Sequence, residues 1–124
     1  MAYELKIETS FAAAHNLLNY CGQCEKLHGH NWKVEIKVRG EDLDESGMLL
    51  DFKILKNHTE AIIQSLDHCY LNEHPAFAGK SPSSELIARY IFTELEKKLS
   101  DRQVSVHKVT AWESDRAAAA YMRS

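Results

Sequence analysis

Two stretches of strict alternation constrain this chain more than any other feature. Over residues 3–11, Tyr3, Leu5, Ile7, Thr9 and Phe11 fall on one face, and Glu4, Lys6, Glu8 and Ser10 on the other. Over residues 32–39, Trp32, Val34, Ile36 and Val38 oppose Lys33, Glu35, Lys37 and Arg39. Successive side chains of a strand point to opposite faces. A period of two with one apolar side therefore reads as a half-buried strand of an antiparallel sheet. The connection between them, Ala12 to Asn31, is long for a compact domain, and connections of that length are usually functional.

The period then changes. Phe52, Leu55, Ile62, Ile63 and Leu66 lie at helical spacing between Asp51 and about Leu66. A second helix is expected to open at Ser81-Pro82, an N-cap followed by proline at the first helical position. It carries Leu86, Ile87, Tyr90, Ile91, Leu95 and Leu99, with Lys97 and Lys98 at the end that favours cations. Two more strands are expected around Val104–Glu113 and Ala117–Arg123. The order ββααββ gives an α+β fold, a four-stranded antiparallel sheet with two helices on one face. Such a sheet leaves its edges and one face open, so a homo-oligomer is expected.

The 124 residues fit a single domain, 1–124, large enough to bury a core. A formal charge of −3 provides no electrostatic footprint for nucleic acid, and no basic stretch suits a membrane surface. Runs such as Phe11–Ala14 and Ala117–Met122 are too short to span a bilayer. Met1-Ala2-Tyr3-Glu4 leads straight into the alternation without a signal or transit pattern, so the expected location is the cytoplasm. The odd count of three cysteines argues for thiol or metal chemistry rather than a disulfide framework.

The chemistry concentrates in the long connection. His15 stands near its start and His28-Gly29-His30 near its end. Residues two apart in an extended segment face the same side, and a hairpin would carry His15 to meet them. Three imidazoles without an obligatory fourth protein ligand form the pattern of a catalytic zinc site with one open position. Imidazole also suits copper, nickel or iron. A second reading uses Cys21, Cys24, His28 and His30 as a closed structural zinc knuckle. That would make the protein a binding module and leave His15 without a role. Cys24, four residues before His28, is a candidate general base, because a thiol beside a cation loses its proton more readily. Cys69 reads as a small buried hydrophobe, and His58, His74 and His107 read as ordinary histidines. Asp67 beside His68 offers a carboxylate that could orient an imidazole. Adjacent residues seldom bond directly, however, and a helix-end histidine is the plainer reading. Glu113, at a strand end, is either an exposed glutamate or an acceptor for a guanidine-like ring edge.

Taken in order, Ser10-Phe11-Ala12-Ala13-Ala14-His15, Cys24-Glu25-Lys26-Leu27-His28-Gly29-His30-Asn31, Leu66-Asp67-His68 and Trp112-Glu113 cover nearly the whole chain. Together they resemble the 6-pyruvoyl-tetrahydropterin synthase and 6-carboxytetrahydropterin synthase superfamily. The resemblance implies a tunnelling fold of ββααββ subunits, closed by threes into a barrel and stacked as a hexamer, with active sites between subunits. It implies Zn2+ held by His15, His28 and His30, and Cys24 as proton acceptor. His68 would relay the proton with support from Asp67, and Glu113 would anchor the pterin. The implied substrate is 7,8-dihydroneopterin triphosphate. The three-residue gap between Cys24 and His28 matches members of the queuosine pathway, whose product is 6-carboxy-5,6,7,8-tetrahydropterin with acetaldehyde. Glu25, directly after Cys24, resembles the glutamate of a folate-branch relative that releases 6-hydroxymethyl-7,8-dihydropterin. Cys21 has no counterpart in the pattern.

Overall fold

A computed structural model describes residues 1–23 and 25–124. Cys24, the expected proton acceptor, lies outside the described residues. The elements run β1 (Tyr3–His15), β2 (His28–Gly40), α1 (Phe52–Gln64), β3 (Cys69–Tyr70), α2 (Ser84–Lys98), β4 (Ser105–Ser114) and β5 (Ala117–Met122), with two short 3-10 turns between β3 and α2. The sheet order is β3-β1-β2-β4-β5. The expected ββααββ order is present, and its four antiparallel strands gain a fifth. Two-residue β3 pairs parallel to β1 through Ala13↔Cys69 and Ala14↔Tyr70, too short a piece to show any periodicity.

Both alternating stretches form strands that outrun their alternation. The β1–β2 register continues from Tyr3↔Gly40 to Ala13↔His30 and His15↔His28. The true connection is therefore residues 16–27, not 12–31. Ala12, Ala13 and Ala14 are small on both faces and carry no polarity signal, while the backbone ladder needs none.

The series Ile7, Phe11, Ala13 and His15 of β1 is buried, and Trp32, Val34, Ile36 and Val38 of β2 are fully so. Val106, Val109 and Ala111 of β4 extend this face, and Leu55, Ile62 and Ile63 of α1 with Ile87, Ile91 and Leu95 of α2 join them in the core. Each such aliphatic side chain removed from water contributes about 1.5–3 kcal/mol. The opposite face keeps its charges in water, with Arg39 Nε 2.8 Å from Glu4 Oε2 and Lys33 Nζ 3.6 Å from Glu8. The Arg39 hydrogen bond holds the Glu4 carboxyl below its usual value.

Asp51 caps α1 by accepting from the Lys53 N–H at 2.8 Å. The α2 start departs from expectation. Ser83, not Ser81, is the cap, accepting from the Leu86 N–H at 3.2 Å. The Ser81 hydroxyl is engaged elsewhere: it accepts from the Leu18 N–H at 2.6 Å and donates to the Leu18 carbonyl at 3.2 Å. Pro82 is buried and outside the helix.

Candidate metal centre

The β1–β2 register builds the site directly. His15 faces His28 across the ladder, and His30 follows on the same side of β2, so three rings meet at the end of the core face. Their centroids are 4.7 Å (His15–His28), 5.2 Å (His15–His30) and 4.8 Å (His28–His30) apart. A fourth group comes from β4, the other neighbour of β2. Glu113 Oε1 lies 3.2 Å from His30 Nε2 and 3.5 Å from His15 Nε2. Glu113 has the parity of Val109 and Ala111, which pair with Ile36 and Val34 on the core face, so strand alternation puts it on the side of the histidines. Ligand atoms of His15, His28, His30 and Glu113 all fall within 4.8 Å of one another.

Hydrogen bonds fix which nitrogens face inward. His15 Nδ1 lies 2.8 Å from the Pro82 carbonyl, and His28 Nδ1 lies 2.9 Å from the Lys26 carbonyl. A carbonyl only accepts, so each Nδ1 carries the proton and each Nε2 is left with its lone pair. His15 Nε2 and His30 Nε2 are buried without a hydrogen-bond partner. Burial lowers the basicity of His30, opposed by the Glu113 carboxylate. Two buried lone pairs converge without a donor beside a part-exposed carboxylate, an arrangement that a cation among them satisfies. Carbonyl-oriented imidazoles of this kind are how metal-binding histidines are held, so the residues fit a divalent ion. Below them Trp32, fully buried, presents its indole 5.1 Å from the His15 ring and 5.2 Å from the His30 ring, near perpendicular to both.

The profile described as 6-pyruvoyl tetrahydropterin synthase matches residues 4–124. The chain belongs to this family. It is similar to the 6-carboxy-5,6,7,8-tetrahydropterin synthase of Synechocystis, 38% identical over 92% of this chain and 88% of that one. It is 43% identical to a putative 6-carboxy-5,6,7,8-tetrahydropterin synthase of Archaeoglobus fulgidus, over 81% of this chain and 83% of the relative. Among solved structures, the 6-pyruvoyl tetrahydropterin synthase of Caenorhabditis elegans superposes with a TM-score of 0.84 at 27% identity, covering all of this chain and 97% of that one. The tunnelling fold expected from the sequence is the fold of these tetrahydropterin synthases.

The other expected residues of this tetrahydropterin synthase family member are placed as follows. Asp67 and His68 do bond directly: His68 has a φ of +56°, and this left-handed turn brings its Nδ1 to 3.0 Å from Asp67 Oδ2. The pair is mounted on β1, with Asp67 Oδ1 accepting from the Ala12 N–H at 2.9 Å and the His68 N–H donating to the Ala12 carbonyl at 2.6 Å. The Ala12 bond, outweighing an opposing effect of burial, and then the contacts with His68 hold the Asp67 carboxyl below its usual value. The His68 side chain is 82% exposed, opening onto a depression shared with Gly29, His30, Asn31 and Tyr70. Glu25 accepts from the Leu17 N–H at 3.1 Å and lies 3.8 Å from His28 Nδ1. Cys21 is exposed and, among the described residues, does not join the metal-ligating group. That group includes His15, which the zinc-knuckle reading left unused. Cys69 is half-buried, its thiol 3.1 Å from the Leu66 carbonyl and pushed up by burial.

Sequence reasoning missed the two orienting carbonyls, of Lys26 and Pro82, because a backbone acceptor has no residue signature. It also missed that Glu113 stands against the histidines. Its parity with Val109 and Ala111 is the signal that could have found it.

Proposed function

We propose that the chain is a zinc-dependent 6-carboxy-5,6,7,8-tetrahydropterin synthase acting on 7,8-dihydroneopterin triphosphate in queuosine biosynthesis, a carbon–carbon and carbon–oxygen lyase. The observation that carries this reading is the group of imidazoles beside Glu113, with the Nε2 atoms of His15 and His30 unpartnered, in a chain whose Synechocystis and Archaeoglobus relatives are named for that reaction.

His15, His28 and His30 hold the ion, and three imidazoles with an open position favour zinc among divalent metals. Bound there, zinc would polarise the substrate's side-chain oxygens and ease charge development on them. Glu113 accepts the paired N–H groups of the pterin's amino-pyrimidinone edge. Cys24 takes a proton from the substrate side chain. His68, with its Nδ1 proton directed at Asp67, keeps Nε2 free to receive and pass on that proton. His68 is largely exposed within one chain, which suits a role at the interface of the proposed hexamer of two stacked trimers. The enzyme works in the cytoplasm.

A second reading has an observation of its own. Glu25 lies 3.8 Å from His28 Nδ1, on the outer side of that ring, and is the candidate base of a folate-branch reaction giving 6-hydroxymethyl-7,8-dihydropterin. Zinc-loaded protein incubated with 7,8-dihydroneopterin triphosphate, alongside Cys24→Ala and Glu25→Ala, separates the two. Formation of 6-carboxytetrahydropterin and acetaldehyde, abolished in Cys24→Ala, supports the first reading. Formation of 6-hydroxymethyl-7,8-dihydropterin that survives Cys24→Ala and fails in Glu25→Ala supports the second. A 6-pyruvoyl product would place the chain with the other synthases of its family.

A further inference from the structure

Asn16 follows His15 at the end of β1, and all of its polar groups are engaged. Its N–H donates to Asn72 Oδ1 at 3.0 Å, and its carbonyl accepts from Asn72 Nδ2 at 2.8 Å. Its Oδ1 accepts from the Tyr70 hydroxyl at 2.6 Å, and its Nδ2 donates to the Glu25 carbonyl at 3.1 Å.

These bonds join three segments. One is the end of β1 that carries His15. Another is the stretch after His68, where β3 pairs with β1 only through Cys69 and Tyr70. The Tyr70 and Asn72 bonds continue that seam past the end of the ladder. The third is the last part of the 16–27 connection, three residues before His28. His15 and His28 are thus tied by the ladder on one side and through Asn16 and Glu25 on the other.

We infer that Asn16 is a positioning residue for the metal centre, holding the His15 end of β1 against the His68 segment and the approach to His28. The inference rests on the metal-binding reading above. No atom of Asn16 is a ligand. Its effect is on the spacing of the imidazoles, and partners that orient metal ligands without touching the ion shape affinity in this way. The Tyr70 hydroxyl acts through the same oxygen, so its removal is a milder version of the same change.

The test uses cobalt(II) as a probe that reports its own coordination. Wild type, Asn16→Ala and Tyr70→Phe are compared for cobalt affinity by chelator competition, for the visible absorption bands of the bound ion, and for kcat and KM separately. Asn16→Ala is expected to lose about 10–100-fold in affinity and to shift the cobalt bands. Tyr70→Phe should move in the same direction by less. An Asn16→Ala protein that melts earlier but keeps wild-type affinity, bands and kinetic constants would overturn the inference, since that is the behaviour of a merely structural residue. If Asn16→Ala does not fold, Tyr70→Phe decides, and unchanged affinity and bands again overturn it. Wild-type protein that binds no cobalt would instead sink the metal reading itself, and this inference with it.

Discussion

The Pro82 carbonyl oxygen lies 2.8 Å from His15 Nδ1, so the segment that leads into α2 sets the tautomer of a histidine on β1. The contact lies just ahead of α2, which begins at Ser84 rather than at the proline. Pro82 is held beside the site, and Ser83 takes over the cap. Buried His15, 2% exposed, is thereby fixed with its lone pair toward His28 and His30.

The first prediction concerns metal retention. His15→Ala should release the ion, because it removes the most buried member of the group and leaves a cavity under the other two rings. Cys21→Ala should retain it, being exposed and outside the group. Metal content after dialysis against a weak chelator checks both. The reverse result would restore the closed knuckle of Cys21, Cys24, His28 and His30.

Much of this site was legible because its geometry follows from strand periodicity. His28 and His30 share a face by being two apart, and the alternation of β1 and β2 implied the hairpin that brings His15 across. What was not legible has specific causes. Ala12–Ala14 carry no polarity contrast, so the strands looked shorter than they are. The two residues of β3 cannot show a period. Asp67 and His68 meet where His68 adopts a left-handed backbone, and Glu113, of the same parity as Val109 and Ala111, faces the histidines once the β2–β4 register is known. Ser81-Pro82 matched a helix start, and only tertiary hydrogen bonds reassign those residues to the site.

That reassignment supports a second prediction. Ser83→Ala should cost about 0.5–2 kcal/mol, the usual loss for an N-cap, measured by urea unfolding. Ser81→Ala should leave α2 intact and instead speed amide exchange at Leu18, whose N–H loses its acceptor. Equal losses of helix stability from both variants would contradict the Ser83 cap.

Asp67 gives a third, in pH. Its carboxyl is more acidic folded than unfolded, chiefly through the Ala12 N–H. Such a group contributes stability that is fully present above its unfolded value of about 3.9. That stability is lost as pH falls through the lower folded value. In metal-free protein, urea midpoints should therefore fall less steeply toward acid in Asp67→Asn than in wild type. Identical acid limbs would show that the Ala12 bond does not distinguish the ionised form.

A fourth prediction uses Trp32 as an internal reporter. In a Trp112→Phe background, Trp32 is the sole indole, about 5 Å from the rings of His15 and His30. Binding of copper(II) or cobalt(II) should quench its emission in a saturable way, with the same midpoint as chelator competition. Emission that ignores the ion would place the metal elsewhere.

Glu113 separates two roles that its position allows. One oxygen stands 3.2 Å from His30 Nε2, so the carboxylate is either a fourth ligand or, in the proposed reaction, the acceptor of the pterin edge. Glu113→Gln keeps the shape and one acceptor oxygen but replaces the other with an N–H donor and removes the charge. If the carboxylate receives two N–H groups from substrate, the variant faces one of them with another donor. KM should then rise, and kcat/KM should fall by about tenfold or more, the scale of a lost charge-assisted bond of 1.5–3 kcal/mol. Metal affinity should stay within a few-fold of wild type, because three imidazoles complete the set without it. Loss of the ion in Glu113→Gln, with little change in KM once metal is restored in excess, would make Glu113 a ligand and leave the pterin edge to be held by another residue.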